Sequence, residues 1–247
     1  MVQWSRSFQP QSNKKDNNAK AEHMKYRSIL NSVYEKYIFR GLSQDTDSIP
    51  ENLTLVISES DLLYDNGMDK LGTYVLWCLE LHIKVISIYV DVLDTEEKLR
   101  SVMMTRLLDP LSSLMEQLPK EIGFEIYNAA GESVKNRSGT KLMVYMAIDF
   151  GGRSEITKAV RTILEDVNTK KISPEQIDEK TIESHLMLKH EPDLVIRAGG
   201  KHLSDFMIWQ SVYSELFFTD VNWSGFRKID LLRILRDFTK RQRRYGK

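Results

Sequence analysis

Pro192-Asp193-Leu194-Val195-Ile196-Arg197-Ala198-Gly199-Gly200 is the stretch whose reading decides the fold. Its aliphatic run reads as a buried strand, and Arg197 with the double glycine behind it reads as a cation and backbone N–H groups delivered to a phosphate. The stretch therefore predicts an anion site at a strand end. Working outward, Leu53 to Ile57, Val85 to Val90, Phe124 to Tyr127 and Lys141 to Ile148 are further apolar runs of strand length. Helical spacing separates them: Leu71, Tyr74, Val75, Cys78 and Leu81; then Leu99 to Leu118, with a break expected near Pro110; then helices from about Arg153 to Asn168 and from Glu175 to about Lys189. Strands alternating with helices predict an α/β fold, an open and mostly parallel β-sheet flanked by helices. Ligands belong at the carboxyl ends of its strands.

The 247 residues are read as a disordered tail (1–21), an amphipathic helix with a linker (22–49) and one domain (50–247). Thirty-five basic residues balance 35 acidic ones, so no global field favours nucleic acid. The local exception is Lys240-Arg241-Gln242-Arg243-Arg244, readable as a solvated helix end or as a diphosphate or partner contact. Cys78 is the single cysteine, which excludes an internal disulfide and reads as a small buried hydrophobe. His185 and His190 are off one helical face, and no zinc-ligand spacing occurs. No run approaches the ~18 to 20 apolar residues of a membrane span. A cytoplasmic protein is expected, with peripheral membrane association left open.

The stretch from Pro192, continued by Leu203-Ser204-Asp205-Phe206 and by Trp209 to Val221, resembles the C-terminal signature of the cis-prenyltransferases, the undecaprenyl diphosphate synthase family. Arg244-Tyr245-Gly246 resembles that family's Arg-x-Gly tail, and Asp149-Phe150-Gly151-Gly152-Arg153-Ser154-Glu155-Ile156 its Asn-Tyr-Gly-Gly-Arg-x-Glu-Ile turn. The family condenses isopentenyl diphosphate onto an allylic diphosphate with Mg²⁺. Its members open with a strand that runs into an Asp-Gly-Asn-x-x-Arg-Trp phosphate loop, a helix and a Gly-His-x-x-Gly helix start. Here the strand runs into Ser58-Glu59-Ser60-Asp61-Leu62-Leu63-Tyr64-Asp65-Asn66-Gly67, which leaves little room for that loop. The substrate loop after the second strand is replaced by Asp91-Val92-Leu93-Asp94-Thr95-Glu96.

The resemblance implies that Arg197, His202 and Ser204 form a weakened isopentenyl diphosphate site, His202 standing where the family has a second Arg. A histidine lacks the two-pronged fork of a guanidinium. It implies that Arg244 and Gly246 contact the same substrate, and that Glu215 assists the Mg²⁺ centre from a dimer interface formed by Trp209 to Trp223. Glu215 has a plainer reading as a helix-end residue. The Met and Leu stripe of residues 99–118 reads as a product tunnel or as plain core. No catalytic residue is assigned to this chain. The expectation is an accessory, catalytically incomplete subunit of a heteromeric cis-prenyltransferase, a heterodimer or heterotetramer whose catalytic partner mainly holds the Mg²⁺. The alternatives are a divergent homodimeric enzyme in which Glu59 or Asp61 replaces the loop Asp, and a non-enzymatic scaffold of the same fold.

Overall fold

A computed structural model describes residues 33–42, 49–92, 97–200 and 206–241, without the side chains of 97–101. Seven strands form one sheet: β1 (Asn52–Ser58), β2 (Val85–Asp91), β3 (Ile122–Tyr127), β4 (Ser133–Arg137), β5 (Leu142–Ile148), β6 (Leu194–Ala198) and β7 (Glu215–Thr219). Their order is β4-β3-β5-β2-β1-β6-β7, and every pairing is parallel except that of β4 with β3. The helices are α1 (33–42), α2 (Glu59–Leu63), α3 (Gly67–Glu80), α4 (Glu97–Gln117), α5 (Gly152–Asn168), α6 (Glu179–His185) and α7 (Lys228–Thr239).

Burial on both faces explains why the inner strands read as unbroken apolar runs. Leu55, Ile57, Ile88, Val90, Leu194 and Ile196 turn to a larger core shared with α3, α4 and α7. Val56, Tyr89, Ala147 and Val195 turn the other way, to a smaller core closed by Phe150, Leu188, Phe206 and Met207. The chain builds outward from β1 on the β2 side and later returns to lay β6 on its other flank. The strand order thus reverses between β1 and β6, and the crevice outside their carboxyl ends is where a ligand fits an open α/β sheet.

Several sequence-based expectations are corrected. Pro110 lies inside a continuous α4, because Leu107, Leu111 and Met115, all fully buried, anchor the helix on both sides of it. The expected helix from Glu175 to Lys189 is a 3-10 turn (Pro174–Gln176) followed by the short α6. Asp178 caps the start of α6, accepting from the Thr181 amide at 2.8 Å. Beyond its end the Met187 and Leu188 amides donate to Glu155 Oε1, at 2.9 and 3.1 Å, instead of continuing the helix. Strands β4 and β7 were not expected. The tail (1–21) and most of the expected helix from His23 to Phe39 lie outside the described residues. The part of that helix that is described docks on α7, where Arg236 Nη1 donates to the Tyr34 hydroxyl at 2.7 Å.

Candidate anion site at the strand ends

Arg197 lies beside Val56 of β1 and Phe218 of β7 near the carboxyl end of β6. Its side chain is only 13% exposed; Nη2 is 3.9 Å from Asp91 Oδ2, and Nε and Nη1 are buried without hydrogen-bond partners. Buried donors of this kind are costly unless something pairs them. The turn behind Arg197 is left-handed at Gly199 (φ +68°), a conformation glycine adopts freely. A Cβ on Gly200 would sit 3.3 Å from Arg197 Nε, so the backbone passes directly against the guanidinium. One expectation fails here. The Gly199 amide is not open to a ligand, because it donates to Thr219 O at 3.2 Å and Val221 O at 3.1 Å. His202 and Ser204 lie outside the described residues, as do Arg244 and Gly246.

The end of β1 carries no loop. Ser58 is both its last residue and the cap of α2: Asp61 Oδ2 accepts from the Ser58 amide at 3.0 Å and from Ser58 Oγ at 2.7 Å, and the Asp61 amide returns a bond to Ser58 Oγ at 3.2 Å. Asp61 is thereby committed to a capping box, and Glu59 is 3% exposed. Replacing Asp61 with alanine should lower stability by about 1 kcal/mol, the ordinary value of a helix cap. A urea melt checks this; no change at all would mean that the box is not formed.

Glu215 opens β7 opposite Leu194, whereas Arg197 is level with Phe218, so three strand positions, about 10 Å, separate them along the sheet. The Glu215 carboxylate instead meets Arg241 Nη1 at 2.5 Å, and that guanidinium lies 4.1 Å from the centre of the Phe217 ring. The structure therefore does not bring Glu215 and Arg197 together within one chain, and the helix-end reading of Glu215 gives way to a strand. Among the described residues no group of three or more His, Cys, Asp or Glu side chains could hold a metal ion.

Strand β7 is an edge of the sheet. It exposes Leu216 and Phe218, and the turn before it exposes Ile208, Val212 and Tyr213. Large apolar side chains gathered beside an open edge are the signature of a surface that meets another chain. On the larger core face, a Cβ on Gly72 of α3 would stand 2.9 Å from Leu114 Cδ1 of α4. The two helices close on each other there, and Leu107, Leu111 and Met115 are core. Cys78 is likewise buried, and burial pushes its thiol far above the usual range.

Reasoning from the sequence missed Asp91 as the neighbour of Arg197. It also missed the buried Glu155 carboxylate, which accepts from Gln210 Nε2 at 3.1 Å as well as from the two amides beyond α6. Neither contact leaves a signal in spacing, since both join segments far apart in the chain.

Residues 110–246 match a prenyltransferase sequence family described as "Putative undecaprenyl diphosphate synthase". The chain is 32% identical to a tritrans,polycis-undecaprenyl-diphosphate synthase (geranylgeranyl-diphosphate specific) of Methanocaldococcus jannaschii, over 90% of this chain and 92% of the relative. It is 36% identical to isoprenyl transferase 1 of Corynebacterium efficiens, over 73% of this chain and 79% of the relative. The first match spans 267 aligned positions, more than the 247 residues present here, so this chain lacks residues that the relative has within the matched region. Among solved structures, lavandulyl diphosphate synthase from Lavandula x intermedia, in complex with dimethylallyl diphosphate, has a similar fold, with a TM-score of 0.68 at 23% identity. That likeness covers 81% of this chain and 100% of the other.

Proposed function

The chain belongs to the undecaprenyl diphosphate synthase-like family of cis-prenyltransferases, and from that premise we propose that it is the accessory, catalytically incomplete subunit of a heteromeric cis-prenyltransferase. The assembly makes polyprenyl diphosphate from isopentenyl diphosphate and an allylic diphosphate. One observation carries the reading: β1 runs without a loop into the Ser58–Asp61 capping box, and the two carboxylates that follow it directly in the chain are the buried Glu59 and Asp61, a helix cap. Chemistry on a diphosphate needs donors and a metal aimed at the leaving group, and position decides their worth. The close approach of α3 and α4 at Gly72 and Leu114 supports the same reading, since it leaves little room between these helices for a growing prenyl chain.

In the complex the catalytic partner supplies the phosphate loop and holds the Mg²⁺. This chain supplies the interface, from the exposed apolar side chains around β7, and the tail with Arg244 and Gly246, which reaches the partner's isopentenyl diphosphate. Glu215, on the same open edge, exchanges its Arg241 contact for the partner's centre in the assembly. Arg197, with His202 and Ser204, is what remains of this chain's own phosphate site. Among the described residues no helix is long and apolar enough to cross a membrane.

A second reading draws on the relatives, which are named as synthases in their own right: a divergent enzyme active alone. Incorporation of radiolabelled isopentenyl diphosphate, with Mg²⁺ and an allylic primer, separates the two. The pure chain should be inactive, and mixing it with a loop-complete paralogue from the same source should give activity. Arg244→Ala should lower that activity about 10²- to 10³-fold, the scale of losing one donor to developing charge, while the complex still assembles on size exclusion. Activity of the pure chain overturns the accessory reading. An intact, fully active complex carrying Arg244→Ala points to a scaffold.

A further inference from the structure

We propose that Asp91 is an internal counter-ion that closes the Arg197 site to a diphosphate. The inference rests on reading the chain as catalytically incomplete.

Asp91 and Arg197 flank β1 at its carboxyl end, Asp91 level with Ser58 and Arg197 level with Val56. Side chains two apart on a strand share a face. Val56, Tyr89 and Val195 all turn to the smaller core, so Ser58, Asp91 and Arg197 project on that same side of the sheet. Their carboxylate and guanidinium come within 3.9 Å, an ion-pair distance but beyond a hydrogen bond. The guanidinium thus keeps two buried donors unused while its nearest opposite charge is already in place.

That combination discriminates by charge. A pyrophosphate approaching Arg197 has to bring several negative charges beside an Asp91 carboxylate that faces the same guanidinium. Like charges at such separations repel, and low salt keeps that repulsion unscreened. The Arg197 side chain is largely buried, so its packing keeps the guanidinium near Asp91. The single negative charge supplied from β2 therefore takes the place of the substrate's phosphates. Asp91 is a specificity determinant of the site, acting through Arg197.

The test is titration calorimetry of inorganic pyrophosphate into the full chain at neutral pH and low salt, without metal. Asp91→Asn should bind at least tenfold more tightly than the wild type, and Asp91→Ser, a second neutral variant, should do the same. Asp91→Glu, which keeps the charge, should stay at the wild-type affinity. Adding Arg197→Ala to Asp91→Asn should abolish the gain. Equal affinities in the wild type and the neutral variants, whether all bind or none does, would overturn the proposal, as would a gain that survives Arg197→Ala. Incorporation of isopentenyl diphosphate by the unmixed wild-type chain is a separate readout. Activity there removes the accessory reading but leaves the pyrophosphate comparison standing, and a flat pyrophosphate series removes the counter-ion but leaves the mixing result standing.

Discussion

Gly67→Ala should lower the stability of the chain by roughly 3 to 4 kcal/mol, combining severe overpacking with a weakened hydrogen bond, and its melting temperature by about 10 °C. A Cβ at this position would lie 1.9 Å from the carbonyl oxygen of Asp61, 2.8 Å from Leu62 Cα and 2.9 Å from Asp61 C. All three are backbone atoms of α2, so no rotamer change relieves the clash, and the corner between α2 and α3 must open. That corner is tightly wound: Asp65 and Asn66 are both left-handed (φ 50° and 60°), and the Gly67 amide donates to Tyr64 O at 2.9 Å. Asp and Asn tolerate this conformation better than other side chains. The Gly67 carbonyl accepts from Trp223 Nε1 at 3.1 Å, and Trp223 is fully buried, stacked on Phe226 and edge-on to Tyr74. Moving Gly67 therefore also disturbs the packing of α3 on the 223–226 turn. Gly72→Ala is the control. Its Cβ would meet only the end of the Leu114 side chain, at 2.9 Å, and should cost about 1 kcal/mol. Equal melting temperatures for the two variants would refute the jammed corner.

The same corner shows what was legible in the sequence. The shortening after β1 could be read directly, because an apolar strand and an apolar helix are separated by too few residues to hold a loop. How the short connection folds could not, since a capping box and two successive left-handed residues are local choices that many polar sequences permit. The inner strands were legible because burial on both faces leaves an apolar run. Strand β4, Ser133-Val134-Lys135-Asn136-Arg137, was not, because it is a largely exposed antiparallel edge held by its pairing with β3 rather than by apolar burial. Strand β7 was hidden in an aromatic segment read only as an interface. Arg197 was legible as a cation at a strand end. Its neighbour Asp91 was not, because strand order alone sets β1 between β2 and β6.

On the proposed accessory reading, strand order also explains why losing the phosphate loop need not unfold the protein. The pairings of β1 with β2 and β6 use backbone groups and aliphatic side chains on both faces, none of which belongs to the loop. The sheet can keep its crevice, its open β7 edge and the turn that presents them while the chemistry at the end of β1 disappears. A fold that separates scaffold from site in this way permits one copy to specialise as a partner surface.

Glu155→Ala should destabilise the chain by about 3 kcal/mol, because it strips the acceptor from buried donors that the rest of the fold has gathered around it. Glu155 is 3% exposed at the start of α5, and it ties three segments together: its own helix, the chain leaving α6 through the Met187 and Leu188 amides, and the turn before β7 through Gln210. Gln210 Nε2 retains a second bond, to Leu188 O at 2.8 Å, so the two backbone amides bear most of the loss. Burial raises the Glu155 pKa, opposed by the bonds from Leu188, Gln210 and Met187. The folded protein therefore holds this proton to higher pH than the unfolded chain does. The stability that comes from the protonated group is fully present below the usual glutamate range and is lost as pH rises through the raised value. Asp166 and Asp178, whose pKa values are lowered by bonds to Lys171 and Thr181 respectively, work in the opposite sense and dominate no part of this difference if a single residue is changed. Glu155→Gln isolates the effect: the stability of the wild type relative to this variant should be greatest in acid and should shrink as pH rises. Chemical denaturation from pH 4 to pH 8, compared between the two proteins, reads it directly. A difference that grows with pH would show that the carboxylate is better stabilised than its acid, and the network would then be an anchor for a charge rather than a buried group held against its cost.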